Sequence, residues 1–340
     1  MPATQTPILR RLLARADRVS LPLRESSQSS FEDGLASLFG LGAADMPWGA
    51  LGAWGETGEQ PRGFVLRLDP VHFKLGMTEA IVLGGAALHL SMDEANTLAR
   101  ALEQHFSEQG WRIVVAAPLR WYLHLSQSSD VVSVPLAQAL GRDAGLFKPQ
   151  GKDARRWLAD ITEAQMVLFA HPLNQAREAR GLPVINSVWP WGAGNLAGSE
   201  RFAGFLSANE FAPTGGGSAS HVPKIYANHP LARGLAFAQG VPVHNLPETL
   251  EECAELHGNA LIVLDDLVEP YLDGDFDDWQ ATLEGLEARW FAPLWTALAQ
   301  GRVRELNLDT GAARFEFKPA YRWRLWRRER ALEQQCAASV

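Results

Sequence analysis

Cysteine is scarce. The 340-residue chain has two, Cys253 and Cys336, far apart and without C-x-x-C spacing. That argues against a disulfide scaffold and a cysteine-built zinc site, and it suits a reducing compartment. Long apolar runs are missing too: no stretch approaches the ~18 apolar residues of a membrane span. The opening MPATQTPILRRLLARADRVSLPLRESSQSS carries arginines but only a short apolar run and no small-residue cleavage site, so it does not read as a secretory signal. The expectation is a cytoplasmic protein with no membrane partner. Positive charge is in deficit, 31 Lys and Arg against 39 Asp and Glu, a net −8. This argues against nucleic acid as a partner of the whole chain, while leaving a local basic patch open. The glycine cluster APTGGGSASH lacks the Lys-Ser/Thr ending of a phosphate loop, so it reads as a mobile loop over a crevice.

What is present suits a soluble globular protein of two domains, with 46% hydrophobic and 21% charged residues. Residues 1–60 read as a helical arm laid on the main body, because Leu12, Leu35 and Phe39 need burial. Residues 61–150 read as a small α/β subdomain. In it GFVLRLDP, EAIVLGG, WRIVVAA and WYLHL are strands, and SMDEANTLARALEQHFSEQG is a helix. Ser91 and Glu94 form a capping box there, Ala95, Leu98, Leu102 and Phe106 share a face, and Gly110 is the stop. Residues 151–330 read as the main α/β domain and 331–340 as a tail. A helix from Phe276 to Ala299 stripes Trp279, Leu283, Leu286, Trp290, Leu294 and Leu298 along one side. VRELNLDTGAARFEF reads as a hairpin turning at Asp309-Thr310-Gly311. Buried strands alternating with helices predict an α/β fold whose mostly parallel sheet is covered by helices on both faces.

ALHLSMDEANTLARALEQHF, DAGLFKPQGKDARRWLADITEAQMVLFAHPLNQARE and INSVWPWGAG, in that order, resemble the middle of the archaeal-type cofactor-independent phosphoglycerate mutases of the alkaline-phosphatase superfamily. With LRLDPVHF, RWFAPLWTALAQGRVRELNL and WRLWRR, the chain resembles still more closely the proteobacterial RpfE-type regulatory proteins, over residues 1–330. The resemblance implies an alkaline-phosphatase-like scaffold. It also exposes departures. The mutases open with a strand that delivers an Asp to a metal pair, followed by a Ser nucleophile, and residues 1–60 offer no such strand. They carry a His-rich acidic motif where this chain has LDDLVEPYLDGDFDDW, which has no histidine. Most ligands of a two-metal site are absent on this reading. A non-catalytic, regulatory or ligand-binding relative is therefore expected, without a favoured cofactor, holding a small phosphorylated ligand and acting with a protein partner.

The candidate residues carry two readings each. In PVINSVWPWGAG, Trp189, Trp191, Gly192 and Gly194 are either a ligand rim at a strand end or a packing corner, and Asn186 is a ligand contact or a satisfied buried amide. His171, Asn174 and Arg177 match the family's HP-x-N-x-x-R stretch, as ligand contacts or as helix-end capping. Asp69 and His72 read as a strand-end turn before Pro70, or as ligand contacts. Asp265 and Asp266 end an apolar strand, where a catalytic carboxylate would sit. Asp273, Asp275 and Asp277 have calcium-loop spacing, with Glu284 twelfth, but Asp278 takes the glycine's place and helix capping explains them better. A working metal-dependent phosphomutase or phosphatase would need manganese or zinc on Asp265, Asp266 and some of His221, His229 and His244. KPAYRWRLWRRER, 318–330, is either a stacking surface for nucleic acid or a protected final edge strand.

Overall fold

The computed structural model describes residues 5–20, 31–39, 41, 46–197, 224–253, 258–311 and 313–332. His221, His257, Cys336 and the glycine cluster lie outside them. Along the chain run α1 (Pro7–Arg15), β1 (Asp17–Ser20), α2 (Phe31–Leu38), α3 (Trp48–Thr57), β2 (Phe64–Leu75), β3 (Ala80–Leu83), α4 (Met92–His105), β4 (Arg112–Ala117), β5 (Arg120–Leu125), α5 (Leu136–Ala139), α6 (Ala154–Ala170), α7 (Pro172–Ala179) and β6 (Ser187–Gly194). They are followed by β7 (Lys224–Tyr226), α8 (Pro230–Ala238), β8 (Val243–His244), β9 (Ala260–Ile262), α9 (Val268–Asp273), α10 (Phe276–Leu286), α11 (Ala292–Ala299), β10 (Leu306–Asp309) and β11 (Ala313–Phe317). These elements form two compact units. The first holds α3–α8 and β2–β6; the second holds α1, α2, α9–α11, β1, β7 and β9–β11.

The first unit is organised by β2. Strand alternation sends Phe64, Leu66 and Leu68 to one face and Val65, Arg67, Asp69 and Val71 to the other. The first face builds a core with Leu98 and Leu102 of α4, Phe106 just after it, Trp121 of β5, and Trp157 and Leu168 of α6. Helix α4 starts on the expected capping box: the Glu94 N–H donates to Ser91 Oγ at 3.3 Å, and the Ser91 N–H donates to the Glu94 carboxylate at 3.1 Å. On the second face lie α3 and α8, whose backbones touch. A Cβ on Gly55 would sit 1.8 Å from the Pro230 oxygen, and one on Gly234 would sit 2.0 Å from the Leu51 oxygen. Only glycine permits that approach.

The sheet departs from the parallel expectation. Strand β2 pairs antiparallel with β3, β5 and β6, and β4 pairs antiparallel with β5. In the second unit β11 pairs antiparallel with β1 and β10, while β7 and β9 are parallel. Near-continuous apolar runs report burial of both faces, and helices on both sides provide that here without fixing strand direction. A second departure is that β2 does not stop before Pro70. It continues with Pro70 opposite Val188 of β6. Pairing with β5 ends at Arg67 and pairing with β3 begins at His72, so the proline's missing donor falls where the described ladder runs along one side only.

In the second unit Leu9, Leu12 and Leu13 of α1 join Leu283, Leu286, Trp290, Phe291, Phe315 and Phe317 in one core. Helix α1 has no side-chain cap of its own. Instead the buried Glu287 carboxylate accepts the Ile8 and Leu9 N–H groups at 2.5 and 3.0 Å. Glu287–Phe291 is a π turn between α10 and α11, just before Pro293, which has no N–H to give. Asp275 caps α10 by accepting the Asp278 N–H at 3.0 Å, and Asp309 Oδ1 holds the hairpin turn through the Gly311 N–H at 2.8 Å. The predicted final edge strand is absent: Pro319–Trp323 forms a 3-10 turn, which follows from a proline that cannot donate to a ladder. No described helix is long and apolar enough to cross a membrane.

Candidate functional site

Residues β2 and β6 place face to face on the polar side of the first unit's sheet form a buried network. Arg67 donates from Nε and Nη2 to Asp69 Oδ1 at 2.9 and 2.6 Å, and Trp191 Nε1 donates to Asp69 Oδ2 at 2.6 Å. The Arg67 guanidinium lies between the rings of Tyr122 and Trp191, 5.2 and 5.3 Å from their centroids. Register explains the grouping, since Arg67 is opposite Tyr122 on β5 and Trp191 on β6. Further out, Glu56 of α3 accepts from Arg120 Nε at 2.7 Å and from the Tyr122 hydroxyl at 3.4 Å.

The electrostatics follow from burial. It pushes the Asp69 carboxyl above its ordinary value, against the pull of Arg67 and the Trp191 N–H. Burial also raises the Tyr122 hydroxyl. His229 caps α8, its Nδ1 accepting the Leu231 N–H at 3.3 Å. Burial first, then the positive charges of Arg67 and Arg120, push it down to about 3, so the ring is neutral. An ion pair whose carboxylate takes three N–H donors holds its surroundings in place.

The sequence candidates among the described residues have definite positions, while His221 lies outside them. Trp189 donates from Nε1 to the Val134 carbonyl at 3.0 Å and meets Phe73 edge-on at 6.4 Å. Gly192 has φ +62°, and a Cβ there would lie 2.7 Å from Cβ of Trp48; one on Gly194 would lie 2.7 Å from Cβ of Pro47. Gly192 and Gly194 thus lie against the chain entering α3, whereas Trp189 and Trp191 turn to Val134 and Asp69. Asn186 bridges the Phe73 backbone, accepting its N–H at 2.7 Å and donating to its oxygen at 3.0 Å. His72 Nδ1 lies 2.8 Å from the Val184 oxygen.

His171 caps α7 through the Leu173 N–H, and the buried Asn174 donates to the Leu168 and Ile185 oxygens while accepting the Ile185 N–H. The fully buried Arg177 donates to the Pro183 and Leu88 oxygens and to Glu94. It ties α7 to the capping box of α4. These three side chains fasten helix ends.

The remaining candidates are in other surroundings. Asp266, partly exposed, faces Arg289 at 3.9 Å, and the Asp265 oxygen accepts the Val268 N–H as the chain turns into α9. His244 stacks on Tyr226 with centroids 5.3 Å apart. Asp275 is the α10 cap described above, so the acidic stretch begins a helix as expected.

Sequence reasoning weighed Asp69 as part of a turn or as a ligand contact, and it missed Arg67, Tyr122 and Glu56. A signal was available: FVLRLDPV sets two opposite charges two residues apart in an apolar strand, on one face by the period of 2. Beyond the corner, where β2 starts and β6 has just ended, Gln60, Arg62, Gly63, Asn195 and Leu196 line a cavity of about 440 Å³. That volume is of small-ligand size. Its walls offer a guanidinium, two side-chain amides and backbone donors, and among the described lining residues there is no nucleophile and no acid–base side chain.

No family model matches the chain. A 2,3-bisphosphoglycerate-independent phosphoglycerate mutase of Methanothrix thermoacetophila is 28% identical over 117 residues, which are 34% of this chain and 29% of that protein. The chain is therefore a distant relative of these mutases, matched over under a third of the curated protein's length. Among solved structures, the PH0037 protein of Pyrococcus horikoshii shares the fold with a TM-score of 0.50 at 13% identity, covering 93% of this chain and 80% of that one. The cofactor-independent phosphoglycerate mutase of Thermoplasma acidophilum gives a TM-score of 0.41 at 16% identity, covering 93% and 82%.

Proposed function

We propose that this chain is a non-catalytic, degenerate relative of the cofactor-independent phosphoglycerate mutases that serves in the cytoplasm as a regulatory, ligand-binding protein, in line with its RpfE-type resemblance. Its ligand is a small phosphorylated metabolite of the phosphoglycerate class. The cavity between the start of β2 and the end of β6 holds it, with Arg62 on the phosphate and the Gln60 and Asn195 amides on the remaining oxygens. The observation that carries this reading is the chemistry of that cavity: its described walls carry a guanidinium and two amides, donors suited to an anion, and no nucleophile.

The absence of a gathered donor set among the described residues, which leave out His221, supports this reading. Among them no three His, Cys, Asp or Glu side chains gather closely enough to hold an ion. His229 caps a helix in the field of Arg67 and Arg120, an environment that disfavours a cation there. No catalytic step is assigned to this chain.

Calorimetric titration with 3-phosphoglycerate, and with inorganic phosphate as the simpler probe, tests the reading. Saturable binding weakened about tenfold or more in Arg62→Ala is expected, the worth of one hydrogen bond to a charged group. Manganese- or zinc-dependent interconversion of phosphoglycerates that disappears in Asp265→Asn would establish the phosphomutase alternative. Failure of both probes to bind would remove the ligand site.

A further inference from the structure

The net charge of −8 conceals a concentrated basic surface on the second unit. The stretches 7–20 and 318–330 together carry ten Lys and Arg against two acids. Side-chain contacts bind the two stretches together. Arg10 Nε donates to the Arg330 oxygen at 3.2 Å, Arg15 Nη1 to the Arg322 oxygen at 2.6 Å, and Arg324 and Arg327 both reach Asp17. Trp323, Leu325 and Trp326 are 65%, 69% and 75% exposed on this surface. Between Trp323 and Trp295, Arg15, Ala299, Arg322 and Leu325 close a groove of about 430 Å³. The Arg322 guanidinium stacks 5.1 Å over Trp323, and that of Arg15 lies 5.5 Å over Trp295.

We propose that this surface binds single-stranded nucleic acid, bases stacking on Trp323 in the groove and on the exposed Trp326 beside it, with phosphates lying along the arginines. A flexible polyanion with flat apolar faces is the partner whose charge and shape complement a basic groove bearing exposed indoles. A lipid surface fits less well. Arginines at a membrane interface extend freely to the headgroups, whereas Arg15 and Arg322 are pinned to the carbonyls of Arg322 and Ala299. Guanidiniums held beside exposed indoles suit a strand that threads past them.

The test uses the whole chain and fluorescently labelled fifteen-nucleotide dT and rU oligomers, read by anisotropy. With about four phosphates neutralised, affinity falls about 50-fold between 50 and 200 mM salt. The Trp323→Ala/Trp326→Ala pair, on side chains exposed enough to spare the fold, weakens binding about tenfold or more at unchanged charge, while Trp323→Phe/Trp326→Phe retains most of it. Arg322→Gln/Arg328→Gln flattens the salt dependence, a change that lost folding would not mimic. Absence of binding at 50 mM salt, binding indifferent to the tryptophan pair, or selective uptake by phosphatidylserine vesicles with none by the oligomers would each overturn the proposal.

Discussion

Asp69→Asn strikes the centre of the buried network, and its cost can be worked from the geometry. The carboxylate accepts two N–H groups from Arg67 at 2.9 and 2.6 Å and one from Trp191 at 2.6 Å. An asparagine offers one carbonyl and one NH₂, so in either orientation a donor faces a donor. The Arg67 side chain, 10% exposed, is left charged and without its counter-ion. Stranding one member of a buried pair costs about 3–5 kcal/mol. Coulomb attraction at about 4 Å and an effective dielectric near 20 gives about 4 kcal/mol, the same scale. Adding Arg67→Met to Asp69→Asn removes the stranded charge, and the asparagine carbonyl still accepts from Trp191. The double variant is therefore expected to recover about 2 kcal/mol or more relative to Asp69→Asn alone. Urea unfolding of the wild type, both single variants and the double variant measures this coupling. A loss below about 1 kcal/mol in Asp69→Asn, or a double variant no more stable than that single one, would refute the argument that this ion pair organises the sheet.

His229 supplies a pH prediction. Its folded value of about 3 lies below the ordinary 6.5, so the unfolded chain binds more protons between them. Its contribution to stability is complete above about pH 6.5 and is lost as pH falls toward about 3. His229→Asn keeps a capping acceptor for the Leu231 N–H but does not titrate, so its unfolding free energy should decline less steeply over that range; equal slopes would contradict the assignment. Gly55→Ala should destabilise by about 3 kcal/mol or more, because its Cβ would meet the Pro230 oxygen at 1.8 Å and both helices must part; a thermal midpoint near wild type would show that they yield freely. Asp266→Asn removes a 3.9 Å surface contact and should leave stability within about 0.5 kcal/mol of wild type, whereas Arg177→Met strips Glu94 and two carbonyls of a fully buried partner and should cost about 3–5 kcal/mol. Urea midpoints decide both.

Local rules carried the sequence reading where one segment satisfies itself. The Ser91–Glu94 box, the Asp275 cap and the turn at Asp309–Gly311 are bonds between residues two or three apart, and each forms as read. The tryptophan-striped helix also appears, broken only by the π turn at Glu287–Phe291. Asn174 shows how far a motif reaches: the residue was found, while its partners, Leu168 and Ile185, come from neighbouring segments that only folding brings close.

The burial pattern and the caps and turns that close within two or three residues were thus determined by the sequence alone, because hydrophobic periodicity and short-range hydrogen bonds need no knowledge of what lies opposite; the Glu287 cap on α1 was not. Tertiary structure decided the rest. Strand direction is set by which neighbours β2 accepts, and Pro70 is tolerated because of where β5 stops and β3 begins. Arg67, Asp69, Tyr122 and Trp191 are separated by up to 124 residues in the chain and become one network only through register. The basic groove joins the two ends of the chain, and summing charge over the whole sequence hides it, because electrostatic potential depends on where charges meet in space.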